Sequence, residues 1–388
     1  MKVALFNDSF PPTIDGVANA IENYARIITE NYGEAVVVTP KHPNVTDNYP
    51  FDVFRFSSAK FLGKMPYRVG NPFSPKTLLE LSKREFDILH VHCPFASAVL
   101  ARELILGKEN HPPVIYTYHT KYDVDLDKYV PNKHLNKISR KFVLSNINYA
   151  DEVWAVSKGA TESLRDLGYK GEILVMPNGT DFKKGKADPL EIAELERMYL
   201  IDKQVPMFLF CGRMMWYKNV KIILDALKKL SKAGIAYRAF FVGDGVDRPA
   251  IEQYAKKLGI YKSTVFTGAV YDRDRLRAFF TRADLFMFPS TYDTSGLVVK
   301  EAAACYTPSI LIKDSCAAEG VEDGFSGVMC EENADDFAKK LAELCKNPSA
   351  FEKLGNNAAE YVYYSWEDSI ATAVKRYEIV MENHLRKK

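Results

Sequence analysis

Two carboxylates bracket a turn-rich segment in the second half of the chain that is suited to binding an anion. An apolar run at 285–288 precedes the segment, and a run of small residues at 301–305 follows it. The pattern predicts a buried strand, a tight loop and a helix N-terminus, where the first N–H groups have no partner within the helix. If Ser295 or Thr294 caps this helix, three residues offer free N–H donors: Gly296, Leu297 and Val298.

This strand–loop–helix junction is called a corner below. The acids beside it restrict which ligands it can bind. Asp293 precedes the loop, Glu301 lies in the helix, and Gly296 allows close approach to the backbone. Carboxylates beside an anion site favour a ligand that has hydroxyls as well as phosphates, as a nucleotide sugar has. On this segment alone, the alternative is an ordinary strand-to-helix junction with one solvated and one capping acid.

A second corner supplies two cations that could neutralise a diphosphate. Arg213 and Lys218 follow an apolar strand and a glycine turn, and four residues separate them. A guanidinium fork and an ammonium group are suited to phosphate oxygens, although the same pattern is common on protein surfaces. Two further strand ends, carrying Gly243 and Val270, are expected in register with this one.

The N-terminal half offers a histidine and a long loop at strand ends. His119 follows the apolar run 114–118, where it is either a satisfied polar residue or one that binds a sugar hydroxyl across a cleft. The loop after the first strand ends at Gly16, where a helix begins. It lacks the G-x-G-x-x-G pattern, so a dinucleotide site is not favoured.

Alternating acids at Asp123, Asp125 and Asp127 match the D-x-D pattern that binds divalent metal in one class of sugar transferases. Three acids in a loop are more often solvated, and we predict no metal site. The next segment predicts a basic amphipathic helix that is either an ordinary surface helix or one that docks on an anionic membrane. Its cations are Lys133, Lys137, Arg140 and Lys141, and its apolar residues are Leu135, Ile138 and Phe142.

Composition excludes several function classes. The 388 residues exceed one ordinary core, and a formal net charge of +2 gives no global basic field for nucleic acid. No apolar run reaches the roughly 18 residues needed to span a bilayer. The first residues indicate a strand and not a signal peptide. The 6 cysteines form no C-x-x-C pair, so we expect reduced thiols and a cytosolic protein.

Apolar runs alternate with helical stretches along the whole chain, which predicts an α/β fold of parallel sheets. The runs fall into two groups separated by a turn-forming cluster at 177–182. We therefore expect two doubly wound units, an N-terminal domain over residues 1–180 and a second over 181–364. Residues 365–388 predict a terminal helix.

Together these corners resemble the retaining GT-B glycosyltransferases of family 4, and the resemblance covers nearly the full chain. The motifs that carry it are Gly212-Arg213…Lys218, Gly243-Asp244-Gly245 and Asp293-Thr294-Ser295-Gly296-Leu297-Val298…Glu301. The family pattern at the last corner is E-x7-E, whereas this chain has Asp293 and Glu301. The usual glycine after Cys305 is Tyr306. These two departures leave the donor sugar, and activity itself, open.

The resemblance implies two Rossmann-like domains that face a cleft, with the nucleotide sugar in the C-terminal half and the last helix packed back on the N-terminal domain. Arg213 and Lys218 would hold the diphosphate, and Glu301 the ribose hydroxyls. Asp293 and His119 would position the sugar. The remaining donor contacts implied are Gly16, Gly243, Val270, Gly296, Leu297 and Val298. No metal or other cofactor is expected, because these groups can stabilise the leaving diphosphate themselves.

A shorter likeness concerns the acceptor. The segment from Tyr116 to Pro131, followed by the basic helix, resembles bacterial diacylglycerol glucosyltransferases. We therefore expect a hexosyltransferase that moves glucose from UDP-glucose to a membrane glycerolipid, peripheral on the inner face of the membrane. Two alternatives stay open: a family 4 enzyme that acts on a soluble or polyprenyl-linked glycan of capsule or cell wall, and an inactive sugar-nucleotide-binding subunit.

Overall fold

The apolar runs form two parallel sheets in the computed structural model of the chain, so the predicted α/β fold class is confirmed. The structure describes residues 1–13, 15–60 and 68–386. Ile14 of the first loop, and Lys387 and Lys388 of the predicted terminal helix, lie outside the described residues. The chain divides into unit 1, Met1–Asn178 with Trp366–Lys388, and unit 2, Gly179–Ser365.

Within its described residues, unit 1 is built on seven parallel strands and one antiparallel pair. The strands are β1 (Lys2–Phe6), β2 (Glu34–Pro40), β3 (Asp52–Phe56), β4 (Ser58–Lys60), β5 (Arg68–Gly70), β6 (Ile88–Val91), β7 (Val114–Tyr118), β8 (Glu152–Ala155) and β9 (Leu174–Val175). The main sheet has the order β3-β2-β1-β6-β7-β8-β9, and β4 pairs with β5. Most strands of the main sheet are buried because helices cover both faces.

In the part of unit 1 that the structure describes, six helices precede residue 178, and one follows unit 2. They are α1 (Gly16–Asn31), α2 (Pro75–Ser82), α3 (Ala96–Ile105), α4 (Tyr122–Tyr129), α5 (Lys133–Ile147), α6 (Lys158–Leu167) and α14 (Trp366–Arg386). The last helix buries Trp366, Ile370 and Tyr377. It is also fixed by a bidentate ion pair, in which the Arg376 guanidinium donates to both carboxylate oxygens of Glu152 on β8 at 2.5–3.0 Å.

Unit 2 is a second parallel sheet of six strands. They are β10 (Met207–Cys211), β11 (Arg238–Val242), β12 (Thr264–Gly268), β13 (Leu285–Phe288), β14 (Ser309–Ile312) and β15 (Val328–Cys330), in the order β12-β11-β10-β13-β14-β15. Its helices are α7 (Pro189–Tyr199), α8 (Val220–Lys232), α9 (Arg248–Leu258), α10 (Arg273–Arg282), α11 (Leu297–Ala304), α12 (Ala334–Lys346) and α13 (Ser349–Tyr361).

Strand order places a binding edge in each sheet. In unit 2 the chain starts at β10, adds strands on one side and then returns to add β13 on the other. Ligands of doubly wound sheets bind at the carboxyl ends of the strands beside this reversal. In unit 1 the equivalent reversal lies between β1 and β6. The predicted residues of both halves therefore lie on the loops, or on the helices that follow them, at the edge that such sheets use for binding.

Two segments differ from the prediction. The acids at 123–127 were expected in a loop but form α4, and the polar stretch after residue 183 contains α7. Pro189 begins α7, and Asp188 caps it by accepting a hydrogen bond from the N–H of Leu190 at 2.8 Å. Because α7 fully buries only Leu195 among its residues, its apolar spacing is too sparse to be recognised as helical.

The sequence predicts reduced thiols at all six cysteines. All are free thiols, and Cys211, Cys305, Cys316 and Cys330 are buried. Burial raises the pKa of Cys305 and of Cys330 to about 12, so both are protonated at neutral pH and behave as small apolar residues.

Candidate active site

Glycines allow the strand-end loops of unit 2 to pack backbone against backbone. Gly243 has φ of 135°, and a Cβ built on it would lie 2.0 Å from the carbonyl oxygen of Gly212. Its N–H donates to Gly268 O at 2.8 Å. Gly243 thus joins the loops after β10, β11 and β12, and this packing alone requires a glycine. Val270 is partly buried just beyond β12.

Arg213 and Lys218, which were predicted to act together, have different surroundings. The Arg213 side chain is exposed and makes no hydrogen bond or ion pair with any residue that the structure describes. The ammonium of Lys218, by contrast, contacts both carboxylate oxygens of Asp293 at 2.5 and 2.6 Å. The predicted phosphate cation and the predicted sugar-binding acid therefore form one ion pair, which a donor would have to share or open.

The N-terminus of α11 differs in its cap from the expectation. The cap residue is Gly296, with φ of 56° and no capping side chain, so neither Ser295 nor Thr294 caps the helix. A Cβ on Gly296 would lie 2.8 Å from Cα of Ala317, which explains the glycine. Within the described chain, the N–H groups of Leu297 and Val298 have no partner, whereas that of Val299 bonds to Gly296 O.

Glu301 lies in α11 and is held by a cation that the sequence did not reveal. Its Oε1 accepts from Arg273 Nη2 at 2.8 Å, and the same guanidinium pairs with Asp181. The Arg273 guanidinium lies 4.2 Å from the ring centroid of Phe182. Burial raises the pKa of Glu301, and Arg273 opposes that shift. Arg273 was missed because it stands in an alternating run, 272–275, that is typical of a solvated surface.

Tyr306, the departure after Cys305, occupies a conformation suited to glycine. Its φ is 63°, in the left-handed region, directly after the end of α11. Its N–H donates to Ala303 O at 3.0 Å, and the N–H of Thr307 donates to Ala302 O at 2.9 Å. This is a helix C-terminus of the kind that glycine usually forms, so Tyr306 holds backbone strain behind the loop of α11.

In unit 1, Gly16 and His119 lie at opposite extremes of exposure. Gly16 is the first residue of α1 and is exposed, and a Cβ on it would meet no atom within 4 Å. Asp15 caps α1 through the N–H groups of Val17 and Ala18 at 3.0 and 2.8 Å. Packing within unit 1 therefore does not require a glycine at position 16. His119, at the end of β7, is buried.

His119 belongs to a row of three buried histidines. His90 and His92 alternate along β6 and its end, so they share a face of the sheet with His119 on the next strand. His92 Nδ1 lies 2.9 Å from His119 Nε2, and the rings of His90 and His92 are 3.9 Å apart. Burial lowers the pKa of His119 to about 3 and those of the other two well below the ordinary value. The H-x-H spacing on a strand could have revealed this row.

The acids of α4 do not form a metal centre. Asp127 pairs with Arg140 at 2.8 Å, and Asp123 accepts from Ser163. Over residues 1–13, 15–60 and 68–386, no group of three or more His, Cys, Asp or Glu side chains is arranged to hold a metal ion. Whether the reaction uses a metal stays a prediction.

The α5 helix exposes both its lysines and its apolar side chains. Lys133, Lys137 and Lys141 are exposed. Leu135, Ile138 and Phe142, expected on the opposite side of the helix, are themselves 55%, 51% and 46% exposed. The helix is anchored through three other residues, Val143, Asn146 and Ile147.

Arg140 is a correction to the predicted basic face. Besides its pair with Asp127, its guanidinium donates to Asn136 Oδ1 at 2.9 Å and to the Asp123 carbonyl at 3.2 Å. It therefore links α5 to α4 and is not available to an external anion. No helix in the described ranges is long and apolar enough to cross a membrane.

Comparison with known proteins agrees with the fold. The model "Glycosyltransferase Family 4" matches residues 14–184, and "Glycosyl transferases group 1" matches residues 191–361. Anabaena Alr3699/HepE in complex with UDP superposes with a TM-score of 0.78 at 18% identity, over 97% of this chain and 100% of that chain. The predicted GT-B fold is confirmed.

Two curated relatives are synthases of a glycolipid. α-Monoglucosyldiacylglycerol synthase of Streptococcus pneumoniae is 27% identical over 80% of this chain and 70% of its own length. The enzyme of the same name from Acholeplasma laidlawii is 24% identical over 92% of both chains. The expected likeness to diacylglycerol glucosyltransferases is thus confirmed as a distant one. With both family models matched in order along the chain, the protein belongs to the family 4 (group 1) glycosyltransferases, enzymes that depend on nucleotide sugars.

Proposed function

We propose that this glycosyltransferase transfers glucose from UDP-glucose to the hydroxyl of a membrane glycerolipid such as diacylglycerol, with retention at the anomeric carbon. The observation that carries the lipid acceptor is the face of α5, which exposes three lysines beside three apolar side chains. Such a face fits a membrane surface, because lysines attract anionic headgroups while apolar side chains enter the acyl boundary. The two α-monoglucosyldiacylglycerol synthases support the same acceptor class.

The donor's diphosphate would bind to unit 2 between the loops after β10 and β13. Arg213 is exposed, and among the residues that the structure describes neither its side chain nor the N–H groups of Leu297 and Val298, at a helix N-terminus, have a partner. Both features favour a bound anion. Lys218 would add a second cation when its pair with Asp293 rearranges. Since this set supplies positive charge where the leaving diphosphate develops, we propose that no divalent metal is required.

Sugar and ribose hydroxyls would bind to the acids of the same site. Asp293 would accept from sugar hydroxyls, and Glu301, which is paired with Arg273, would accept from the ribose hydroxyls. Within unit 1, His119 at the end of β7 would contact a sugar hydroxyl, and Gly16, which faces open space at the start of α1, would admit a diphosphate. The leaving phosphate would take the acceptor proton as the acceptor oxygen attacks from the same face.

Product mass spectrometry tests the proposal. The purified protein is incubated with UDP-glucose, EDTA and liposomes that contain diacylglycerol and an anionic lipid. We expect a lipid heavier by one hexose. UDP release without a glycolipid would refute the lipid acceptor and favour a soluble or polyprenyl-linked glycan. Activity that disappears in EDTA and returns with a divalent metal would refute the metal-free donor site.

The α5 surface has its own test with a charge-matched control. Replacing Lys133, Lys137 and Lys141 with glutamine should lower the binding constant for anionic liposomes, measured by sedimentation, by one to two orders of magnitude. The reason is that each basic residue near such a surface contributes about 1 kcal/mol to binding. The control replaces three exposed lysines of unit 2, Lys232, Lys257 and Lys262, and should bind as the wild type does. Equal loss in both variants would mean that only net charge matters.

A further inference from the structure

The buried histidine row contains one ring nitrogen whose surroundings determine where a proton lies. His92 is fully buried, and its Nε2 has no hydrogen-bond partner among the described residues. Its other nitrogen, Nδ1, lies 2.9 Å from His119 Nε2. A neutral imidazole carries one proton, so one nitrogen of His92 donates and the other accepts.

The unpartnered nitrogen assigns the tautomer of His92. A proton on Nε2 would leave a buried N–H without an acceptor, and orphaned donors are rarer in proteins than under-satisfied acceptors. In that form His92 Nδ1 would accept from a protonated Nε2 of His119, so the pair would stay hydrogen-bonded and the orphaned N–H would be the whole penalty. With the proton on Nδ1, His92 donates to His119 Nε2 and only a lone pair stays unmatched. The Nδ1–H form of His92 therefore gives the lower free energy.

From this geometry, we propose that His92 is a positioning residue that keeps the single proton of His119 on Nδ1. Because Nε2 of His119 accepts from His92, a neutral His119 carries its proton on the other nitrogen. The inference rests on the proposed function in one respect: a His119 that contacts the sugar would do so as a neutral ring whose Nε2 already accepts from His92, and not as a base acting through that nitrogen.

The neighbouring groups keep both rings neutral and oriented. The rings of His92 and His119 stack with centroids 5.1 Å apart, and His90 lies against His92 at 3.9 Å. His90 is itself held at both nitrogens, by the Tyr377 hydroxyl at 2.6 Å and the Thr117 hydroxyl at 2.7 Å. Tyr24 packs edge-on against His92. The ionisable neighbours that act on the pKa of His92 are His90 and His119, and both lower it.

Nitrogen NMR on the full chain with labelled histidine tests the assignment directly. Signals of His92 and His119 are identified by their loss in His92→Asn and His119→Gln. We expect both residues to show a protonated Nδ1 and an unprotonated Nε2 between pH 6 and 8. In His92→Asn the amide can still donate to His119, and its tautomer should be retained. A protonated Nε2 on His119 of the wild type would overturn the inference.

Activity separates a positioning role from a merely structural one. His92→Leu removes the donor, so His119 should populate both tautomers, and kcat/KM should fall about tenfold, the equivalent of one ordinary hydrogen bond. His92→Asn should restore it. If His92→Leu does not fold, the wild-type spectrum and His92→Asn still decide. An assigned tautomer without glucosyl transfer would refute the proposed function alone, and an Nε2–H tautomer in an active enzyme would refute only this inference.

Discussion

Mild acid should destabilise unit 1 through its histidine row. Burial lowers the pKa of His119 from 6.5 to about 3, and those of His90 and His92 also fall well below 6.5. Between these values the unfolded chain binds protons that the folded chain does not. The contribution to stability is therefore complete above the unfolded pKa of about 6.5 and is lost as the pH falls.

The magnitude follows from the number of protons. Each histidine that stays neutral in the folded state lowers the free energy of unfolding by about 1.4 kcal/mol per pH unit below 6.5. From pH 7 to pH 5 this amounts to about 2 kcal/mol for His119, and His90 and His92 add to the loss in the same direction. A loss of that size is a substantial part of the stability of about 5–15 kcal/mol that is usual for a domain.

The tryptophans of the chain provide a probe that reports on unit 1 alone. There are 3, of which Trp154 and Trp366 lie in unit 1 and Trp216 in unit 2. Trp154 lies 5.1 Å from the ring of His90. In a Trp216→Phe background, urea unfolding is followed by tryptophan fluorescence at several pH values between 7 and 5. The change in the free energy of unfolding of unit 1 per pH unit is the pH slope.

Matched variants isolate the row from other titrating groups. His119→Gln in the same background should reduce the loss between pH 7 and pH 5 by about 2 kcal/mol, because one proton is removed from the unfolded state. His134→Gln, at an exposed position on α5, should leave the slope of the parent unchanged. An unchanged urea midpoint from pH 7 to pH 5, or equal slopes in parent and His119→Gln, would refute the reasoning.

Three further predictions concern unit 2. Arg213→Ala should weaken UDP binding, measured by calorimetry, by one to two orders of magnitude, because charge-assisted hydrogen bonds contribute about 1.5–3 kcal/mol. The melting temperature should not change, because this side chain has no partner among the described residues. An unchanged affinity for UDP would place the diphosphate elsewhere. Tyr306→Gly should stabilise unit 2 by about 0.5–1 kcal/mol in urea unfolding by relieving the left-handed backbone, and a loss of stability would show that packing of the ring matters more. Gly243→Ala should destabilise unit 2 by at least about 2 kcal/mol, because the added Cβ would lie 2.0 Å from the carbonyl oxygen of Gly212. The control is Gly16→Ala in unit 1, where the added Cβ meets no atom within 4 Å, and it should not change the melting temperature.

Much of the fold is predictable because buried parallel strands have a simple signature. Runs such as 207–211 and 285–288 are apolar throughout, as strands covered on both faces must be, and they match β10 and β13. The α4 and α7 helices were missed because they are short and largely exposed, and their start depends on local features such as Pro189 and the Asp188 cap.

The site was less predictable than the fold, because partners distant in sequence decide what each side chain does. Sequence motifs brought Arg213, Lys218, Asp293 and Glu301 to one edge. They did not indicate that Lys218 pairs with Asp293, 75 residues away, or that Arg273 holds Glu301. The cap of α11 was also assigned to a side chain, whereas Gly296 forms it through its backbone conformation.

The contribution of α14 to unit 1 has a consequence for biosynthesis. Residues Met1–Asn178 leave the ribosome first, but Trp366, Tyr377 and Arg376 follow only after all of unit 2. Until then His90 lacks the Tyr377 hydroxyl and Glu152 lacks its guanidinium. Domains generally fold as they emerge, starting from the N-terminus. Here unit 2 is continuous in sequence, whereas unit 1 cannot bury the aromatic face that α14 covers until the residues after unit 2 have been made.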